Sequence, residues 1–219
     1  MLTKKEPNTR VERAVQELER MIFSGDLTSG EHIKESEIGD KLSLSRGVVR
    51  EAFTSLAQAG LVEIIPHRGG FVRSFTVKET LDFFDLRAHL ALYAVKEAAL
   101  NITRRELAEL VDILDRLDVA VHDADPTEMM NLNCQFHQRI FEKCENTALV
   151  AFAKDIRLKQ FLSCRHTFRV ATTGVEAGRE HRAILEGLAD GDGERAATMM
   201  HDHIMQGKRR FLEAIAHKE

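Results

Sequence analysis

Residues 31–75 read EHIKESEIGDKLSLSRGVVREAFTSLAQAGLVEIIPHRGGFVRSF. Ile33, Ile38 and Leu42 outline a short helix, with Ser36 as its expected cap. LSLS breaks it. A second helix then runs from about Ser45 to Gln58, with Val49, Phe53 and Leu56 at helical spacing, and Gly60 closes it. The period changes next. LVEII and GGFVRSF are short runs rich in β-branched and aromatic residues, separated by PHRGG, which predicts a hairpin with a glycine-rich turn.

Upstream, residues 8–24 form an amphipathic pattern through Val11, Val15, Leu18, Met21 and Ile22, ended by Gly25 and the loop GDLTSGE. The order helix, helix, turn, helix, hairpin is that of a winged helix-turn-helix. Downstream of Phe75 every signal is helical. Thr76–Asn101 is one long helix. Thr103 with Glu106 forms a capping box for a helix to about His122, and Asp125-Pro126-Thr127-Glu128 starts another. Asn146 caps a helix through about Phe168. ATTGVEAG, residues 171–178, reads as a loop, and helices at about 176–189 and 193–216 follow. The fold class is mostly α: a winged helix-turn-helix domain over 1–76, then an antiparallel all-α bundle over 77–219.

Composition agrees with two folded domains. Of 219 residues, 43% are apolar and 30% charged, with three Pro and no Trp. No apolar run approaches the roughly 20 residues that span a bilayer, and no signal-type stretch opens the chain, so the cytoplasm is the expected compartment. Cys134, Cys144 and Cys164 are widely spaced and odd in number, which predicts reduced thiols on helices rather than a disulfide framework or zinc motif. Net charge is −4; residues 1–78 hold 12 Lys+Arg against 11 Asp+Glu, and the remainder 19 against 24. Bulk charge therefore does not argue for nucleic acid; the placement of arginines does.

A helix-turn-helix presents the start of its second helix to the major groove. Ser45, Arg46, Val48 and Arg50 occupy those positions, and Arg46 and Arg50, four apart, share the face away from Val49, Phe53 and Leu56. Arginine suits bidentate contact with guanine or phosphate, and Ser45 can cap the helix. Arg68, in the turn His67-Arg68-Gly69-Gly70, would meet neighbouring backbone or minor groove. Each arginine alone reads better as a solvated surface charge; the ordered set of helices, arginines and wing favours double-stranded DNA.

The same stretch resembles the DNA-binding domain of GntR-type regulators. The matching pieces are Glu35-Ser36-Glu37-Ile38, Ser45-Arg46, Val49-Arg50-Glu51-Ala52, Leu56, Gly60-Leu61-Val62, and Arg68-Gly69 with Val72. The bundle is similar to the FadR-type effector domain called FCD, in its six-helix VanR-like branch. The resemblance implies that Ser36, Ser45, Arg46, Val48, Arg50, Arg68 and Gly69 lie at or near DNA. Gly47-Val48 stands where Thr-Pro is usual, Ser43 where Gly is usual, and Ser29 where Pro is common, departures that bear on base preference.

Among ten histidines, His137 follows Asn133 by four residues on one helix face, while His181 and His203 fall on the last two helices. Three imidazoles and an oxygen converging inside a bundle would suit Zn²⁺ or a similar ion; spacing alone favours satisfied polar histidines over ligands. The resemblance implies a divalent metal site at Asn133, His137, His181 and His203, with Zn expected and Ni or Mn as alternatives, and with Asn133 in place of the usual Asp. It also implies a small effector, of the organic-acid class, clamped by Arg87, although Arg87 could instead pair with Asp85 or reach solvent. Arg165 and Arg169 are further anion-binding candidates, and His201 is expected at the surface. The reading is a homodimeric regulator, repression being the commoner mode, on a palindromic operator. Rival readings are a metal-dependent enzyme, for which no HExxH, nucleophile elbow or Walker loop is present, and a protein-interaction module.

Overall fold

Thr9 opens the described chain: its hydroxyl accepts from Glu12 N–H while the Glu12 carboxylate accepts from Thr9 N–H, the reciprocal box that starts α1 (Arg10–Ser24). The computed structural model describes residues 9–164 and 171–216. α1 buries Ala14, Leu18, Met21 and Ile22 on one face. β1 (His32–Ile33), α2 (Glu35–Leu42), α3 (Arg46–Gln58), β2 (Val62–Ile65) and β3 (Gly69–Val72) follow.

The sheet order is β1-β3-β2, all antiparallel, with Ile33 opposite Gly70 and Val62 opposite Val72. This departs from the expected two-stranded hairpin. Ile33 belongs to a third strand rather than to a helix; it is buried while His32 is exposed, the alternation of a strand. Ser36 is likewise not a cap. The helix starts at Glu35, two residues earlier than a Ser36 cap implies, and the capping position is Lys34, which makes no side-chain cap bond. At the turn between α2 and α3, Ser43 takes a left-handed conformation at φ 55, so a serine occupies a geometry that glycine adopts more easily. The described residues through Thr76 form one compact unit, with Leu18, Ile22, Ile33, Val49, Phe53, Leu56, Leu61 and Val72 buried in it.

The second unit, from Val77 onward, consists of α4 (Val77–Asn101), α5 (Arg104–His122), α6 (Pro126–Phe141), α7 (Thr147–Cys164), α8 (Ala171–Ala189) and α9 (Gly193–Ala216). The expected caps form: Thr103 with Glu106, Asp125 accepting from Thr127 and Glu128, and Asn146 accepting from Leu149. α9 packs along α4 and α8, and α5 along α6 and α8, around a core that includes Phe84, Leu114, Leu132, Phe136, Ile140, Ile184 and Met200.

Two expectations fail here. Residues 171–178 are helical, the first two turns of α8, not a loop. Gly174 serves close packing: a Cβ there would collide with the Met129 side chain and come within 2.8 Å of Val121 Cγ2. Cys144 lies in the connection after α6 rather than on a helix; it is buried and, like half-buried Cys134, a free thiol. Arg165, Phe168 and Arg169 fall outside the described residues, as does the Cys164 side chain. Among the described residues, no helix is long and apolar enough to cross a membrane.

Candidate DNA-reading face and histidine centre

The start of α3 is built by Ser45. Its extended backbone (φ −72, ψ 152) turns the chain into the helix, and its hydroxyl accepts from Val48 N–H at 3.4 Å. Helical period then buries Val49, Ala52, Phe53 and Leu56, which leaves Arg46 and Arg50 exposed on the opposite side. Arg46 makes no ion pair with any described residue. Arg50 donates from Nε to both carboxylate oxygens of Glu35 at 2.9 Å, and this bond raises its pKa further above the usual arginine value.

α2, α3 and the wing enclose an open groove within the first unit. Its lining includes Lys34, Glu35, Ser36, Arg46, Arg50, Arg68 and Gly69. Ser45 and Val48 are not in that lining; Ser45 is exposed at the helix start and Val48 is half-buried. The wing turn is shaped by His67 at φ 61 and Gly69 at φ 92, the latter a value glycine tolerates freely. Arg68 lies over the Phe71 ring, 5.2 Å from its centroid, and the His32 ring packs tilted against the same phenyl, with centroids 4.8 Å apart. His32 and Lys34 escaped the sequence reading, and Glu35 entered it only as part of the matched stretch, because only the third strand and the early start of α2 bring them to the groove.

In the second unit, three helices deliver one imidazole each: His137 from α6, His181 from α8 and His203 from α9. All three are buried. His203 Nε2 lies 3.1 Å from His137 Nε2 and 3.2 Å from His181 Nε2, and the three ligand atoms fall within 4.8 Å of one another. Burial holds His137 and His181 well below the ordinary histidine pKa, and the nearby Arg87 charge acts in the same direction. Burial also lowers His203, against an opposing pull from Glu180. All three are therefore neutral imidazoles at pH 7.

Glu180 fixes the tautomer of His203. Its Oε2 accepts from Nδ1 at 2.6 Å, which leaves the Nε2 lone pair directed at the other two rings. Arg210 braces the same carboxylate with two bonds of 3.0 Å. Burial would raise the Glu180 pKa, but the bonds from His203 and Arg210 outweigh it and bring it down to about 2.

The donor set fits a divalent cation. Two nitrogens bound to one ion at roughly 2.0–2.1 Å and tetrahedral angles lie about 3.3 Å apart, close to the separations between His203 and its neighbours. His137 Nδ1 and His181 Nδ1 are buried without hydrogen-bond partners among the described residues, so packing positions these rings, His181 against Phe136 at 4.5 Å between centroids. A cavity of about 50 Å³ borders the trio, lined also by Arg87, Asn133, Gln160 and Arg210. Arg87 donates to Gln160 Oε1 at 2.9 Å, and Asp85 pairs with Lys208 instead. His201 is half-exposed, bonded to Asp202. The resemblance placed Glu180 only as the neighbour of His181, not as the partner of His203; Arg210 as its brace and Gln160 as the partner of Arg87 had no signal in the sequence, lying 30 and 73 residues from the groups they bond.

Comparison with known proteins agrees with this architecture. Residues 10–72 match "Bacterial regulatory proteins, gntR family" and residues 82–206 match the FCD domain. The chain is 29% identical over 198 residues to the HTH-type transcriptional regulator YdhC of Bacillus subtilis, covering 86% of this chain and 84% of that one. It is 27% identical over 201 residues to the probable D-xylose utilization operon transcriptional repressor of Paenarthrobacter nicotinovorans, covering 90% and 84%. Among solved structures, E. coli McbR/YncC superposes with a TM-score of 0.85 at 20% identity, over 95% of this chain and 100% of that one, a likeness of fold. The family is one of regulators rather than enzymes, which removes the catalytic reading of the bundle. With a winged helix-turn-helix that matches one model and a six-helix bundle that matches the other, the chain belongs to the GntR family of bacterial regulatory proteins, in its FCD-containing group, and is a DNA-binding transcription regulator.

Proposed function

We propose that the chain is a homodimeric repressor whose affinity for a palindromic operator is set by a small carboxylate bound beside a divalent metal in the FCD bundle. The observation that carries the reading is the convergence of three buried neutral histidines, with Arg87 and Asn133, on one small cavity. Neutral imidazoles offer lone pairs and no charge, so His137, His181 and His203 would hold the ion, with the Asn133 amide as a weaker oxygen donor. Zn²⁺ suits the nitrogen-rich set; Ni²⁺ and Mn²⁺ are the alternatives. The ion would supply a Lewis-acid anchor for an anionic ligand. Arg87 adds a guanidinium fork of the kind that holds a carboxylate. A space of about 50 Å³ accommodates an ion and a few ligand atoms, which favours a small acid over a larger effector.

Ser36, Ser45, Arg46, Val48, Arg50, Arg68 and Gly69 would form the DNA-contacting set, Arg46 and Arg50 in the major groove and Arg68 at the wing. The ligand acts by binding the DNA-competent and incompetent arrangements unequally. Repression is supported by the name of the Paenarthrobacter relative. Dimerisation through the bundle is supported by α4, which exposes Leu86, Tyr93 and Leu100 seven residues apart, away from its own buried face. Tyr93→Glu, by placing a charge in that row, is expected to shift sedimentation toward the monomer.

Elemental analysis of the purified protein tests the site. About one equivalent of metal per chain is expected, falling several-fold in His181→Ala while helix content is retained. Unchanged stoichiometry in that variant would remove the histidine trio from the reading.

A further inference from the structure

The DNA-facing groove holds one carboxylate among its lining residues, and that carboxylate belongs to Glu35. A negative charge there disfavours any duplex, since its other charged lining residues are Lys34, Arg46, Arg50 and Arg68. The geometry supplies a reason for it. Both Glu35 oxygens accept from Arg50 Nε at 2.9 Å, and the two terminal nitrogens of Arg50 bond no described residue. The carboxylate is the sheltered partner, with 22% of its side chain exposed against 67% for Arg50. It is seated in the first turn of α2, two residues past the end of β1, the strand that pairs with β3 of the wing.

From this arrangement we propose that Glu35 is a positioning residue for specificity: it grips Arg50 by the inner nitrogen and aims the outer pair at the duplex. The inference rests on the reading that α3 meets DNA. A guanidinium recognises guanine or phosphate through two parallel N–H groups, and an unrestrained arginine must lose much rotamer freedom to do so. Anchoring Nε removes part of that loss beforehand while leaving the Nη1–Nη2 edge available. Glu35 thus weakens binding to sequences that do not meet the aimed fork and strengthens it, on balance, to the one whose bases do. Arg46 has no such anchor and contributes mainly charge.

The test uses the full-length protein and two duplexes: one enriched by the wild type from a random pool, and a scrambled duplex of the same composition. Binding is followed by fluorescence anisotropy at several salt concentrations. Glu35→Ala is expected to bind the scrambled duplex about 2- to 5-fold more tightly, because a repulsive charge is gone. It is expected to bind the enriched duplex about tenfold more weakly, the scale of a bidentate contact partly lost. Glu35→Gln, which keeps one acceptor oxygen, should fall between. Added to Arg50→Ala, the Glu35→Ala change should cause no further loss on the enriched duplex.

Equal tightening on both duplexes would reduce Glu35 to a bare charge and overturn the proposal, as would an additive loss in the double variant. A changed thermal midpoint accompanied by equal weakening on both duplexes would assign Glu35 a structural role and overturn it as well. If Arg50→Ala binds the enriched duplex like the wild type, or if no duplex is enriched, the placement of α3 at DNA fails first and the proposal with it.

Discussion

The arginine face of the first unit and the histidine centre of the second use polar side chains in opposite ways. Arg46 and Arg50 stand on one helix, exposed, where charge is cheap to maintain and available to a large polyanion. His137, His181 and His203 come from three helices and lie buried, where each must stay neutral. The first surface can lose a residue without endangering its fold. The second cannot, because its functional groups are part of the core. Phe136 makes the point most sharply. It is fully buried and packs tilted against the His181 ring. Phe136→Ala is expected to cost about 3–5 kcal/mol, and to do so only in the second unit. Hydrogen exchange would check this: amides of α8 and α9 should lose protection while those of α3 keep theirs. Equal loss in both would show that the units do not unfold separately.

The same contrast explains what was legible in the sequence. Ser45, Arg46 and Arg50 fall within six consecutive positions, so helical period alone sets their face. The wing hairpin was readable from its glycines and β-branched runs, but β1 was not: two residues carry no period, and Ile33 pairs with Gly70 across a long separation. For the histidines, sequence spacing could not distinguish a cluster from scattered core residues; the family resemblance singled them out. Their mutual distances depend on how α6, α8 and α9 pack, and the brace Glu180–Arg210 depends on it again. Glycines misled at residues 171–178, where turn propensity and close helix packing give the same composition and only the neighbours Met129 and Val121 distinguish them.

Acid should separate the regions next. In protein stripped of metal by a chelator, the three histidines have folded-state pKa values below the ordinary value of 6.5. The unfolded chain therefore binds more protons than the folded one as pH falls below that value, and stability declines with falling pH. Their contribution is fully present above about pH 6.5 and is lost progressively below it, by up to about 1.4 kcal/mol per pH unit for each histidine. Thermal melts of the stripped protein at pH 7.5 and 5.5 should show the decline, and substitution of His181 by a neutral residue that packs should flatten it. A melt independent of pH over this range would mean that the trio is not held neutral.

The smallest expected difference lies between two helix caps. Thr103 accepts from Glu106 N–H at 3.3 Å while the Glu106 carboxylate accepts from Thr103 N–H at 2.9 Å, and Lys143 pairs with that same carboxylate. Ser45 makes a single bond of 3.4 Å, near the outer limit of a hydrogen bond, and has no acidic residue in the first turn behind it. Thr103→Ala should therefore cost about 1 kcal/mol of second-unit stability, and Ser45→Ala about 0.5 kcal/mol in the first. Binding should reverse the order. The first turn of α3 carries free N–H groups and the positive end of a helix dipole at an exposed position, where a phosphate can replace the weak internal acceptor and also accept from the Ser45 hydroxyl. Ser45→Ala should then weaken DNA binding several-fold despite its small effect on melting, whereas Thr103→Ala should change melting and leave binding nearly unaltered. A Ser45 variant that melts early but binds normally would make that serine a cap and nothing more, and would move the contact surface of α3 away from its first turn.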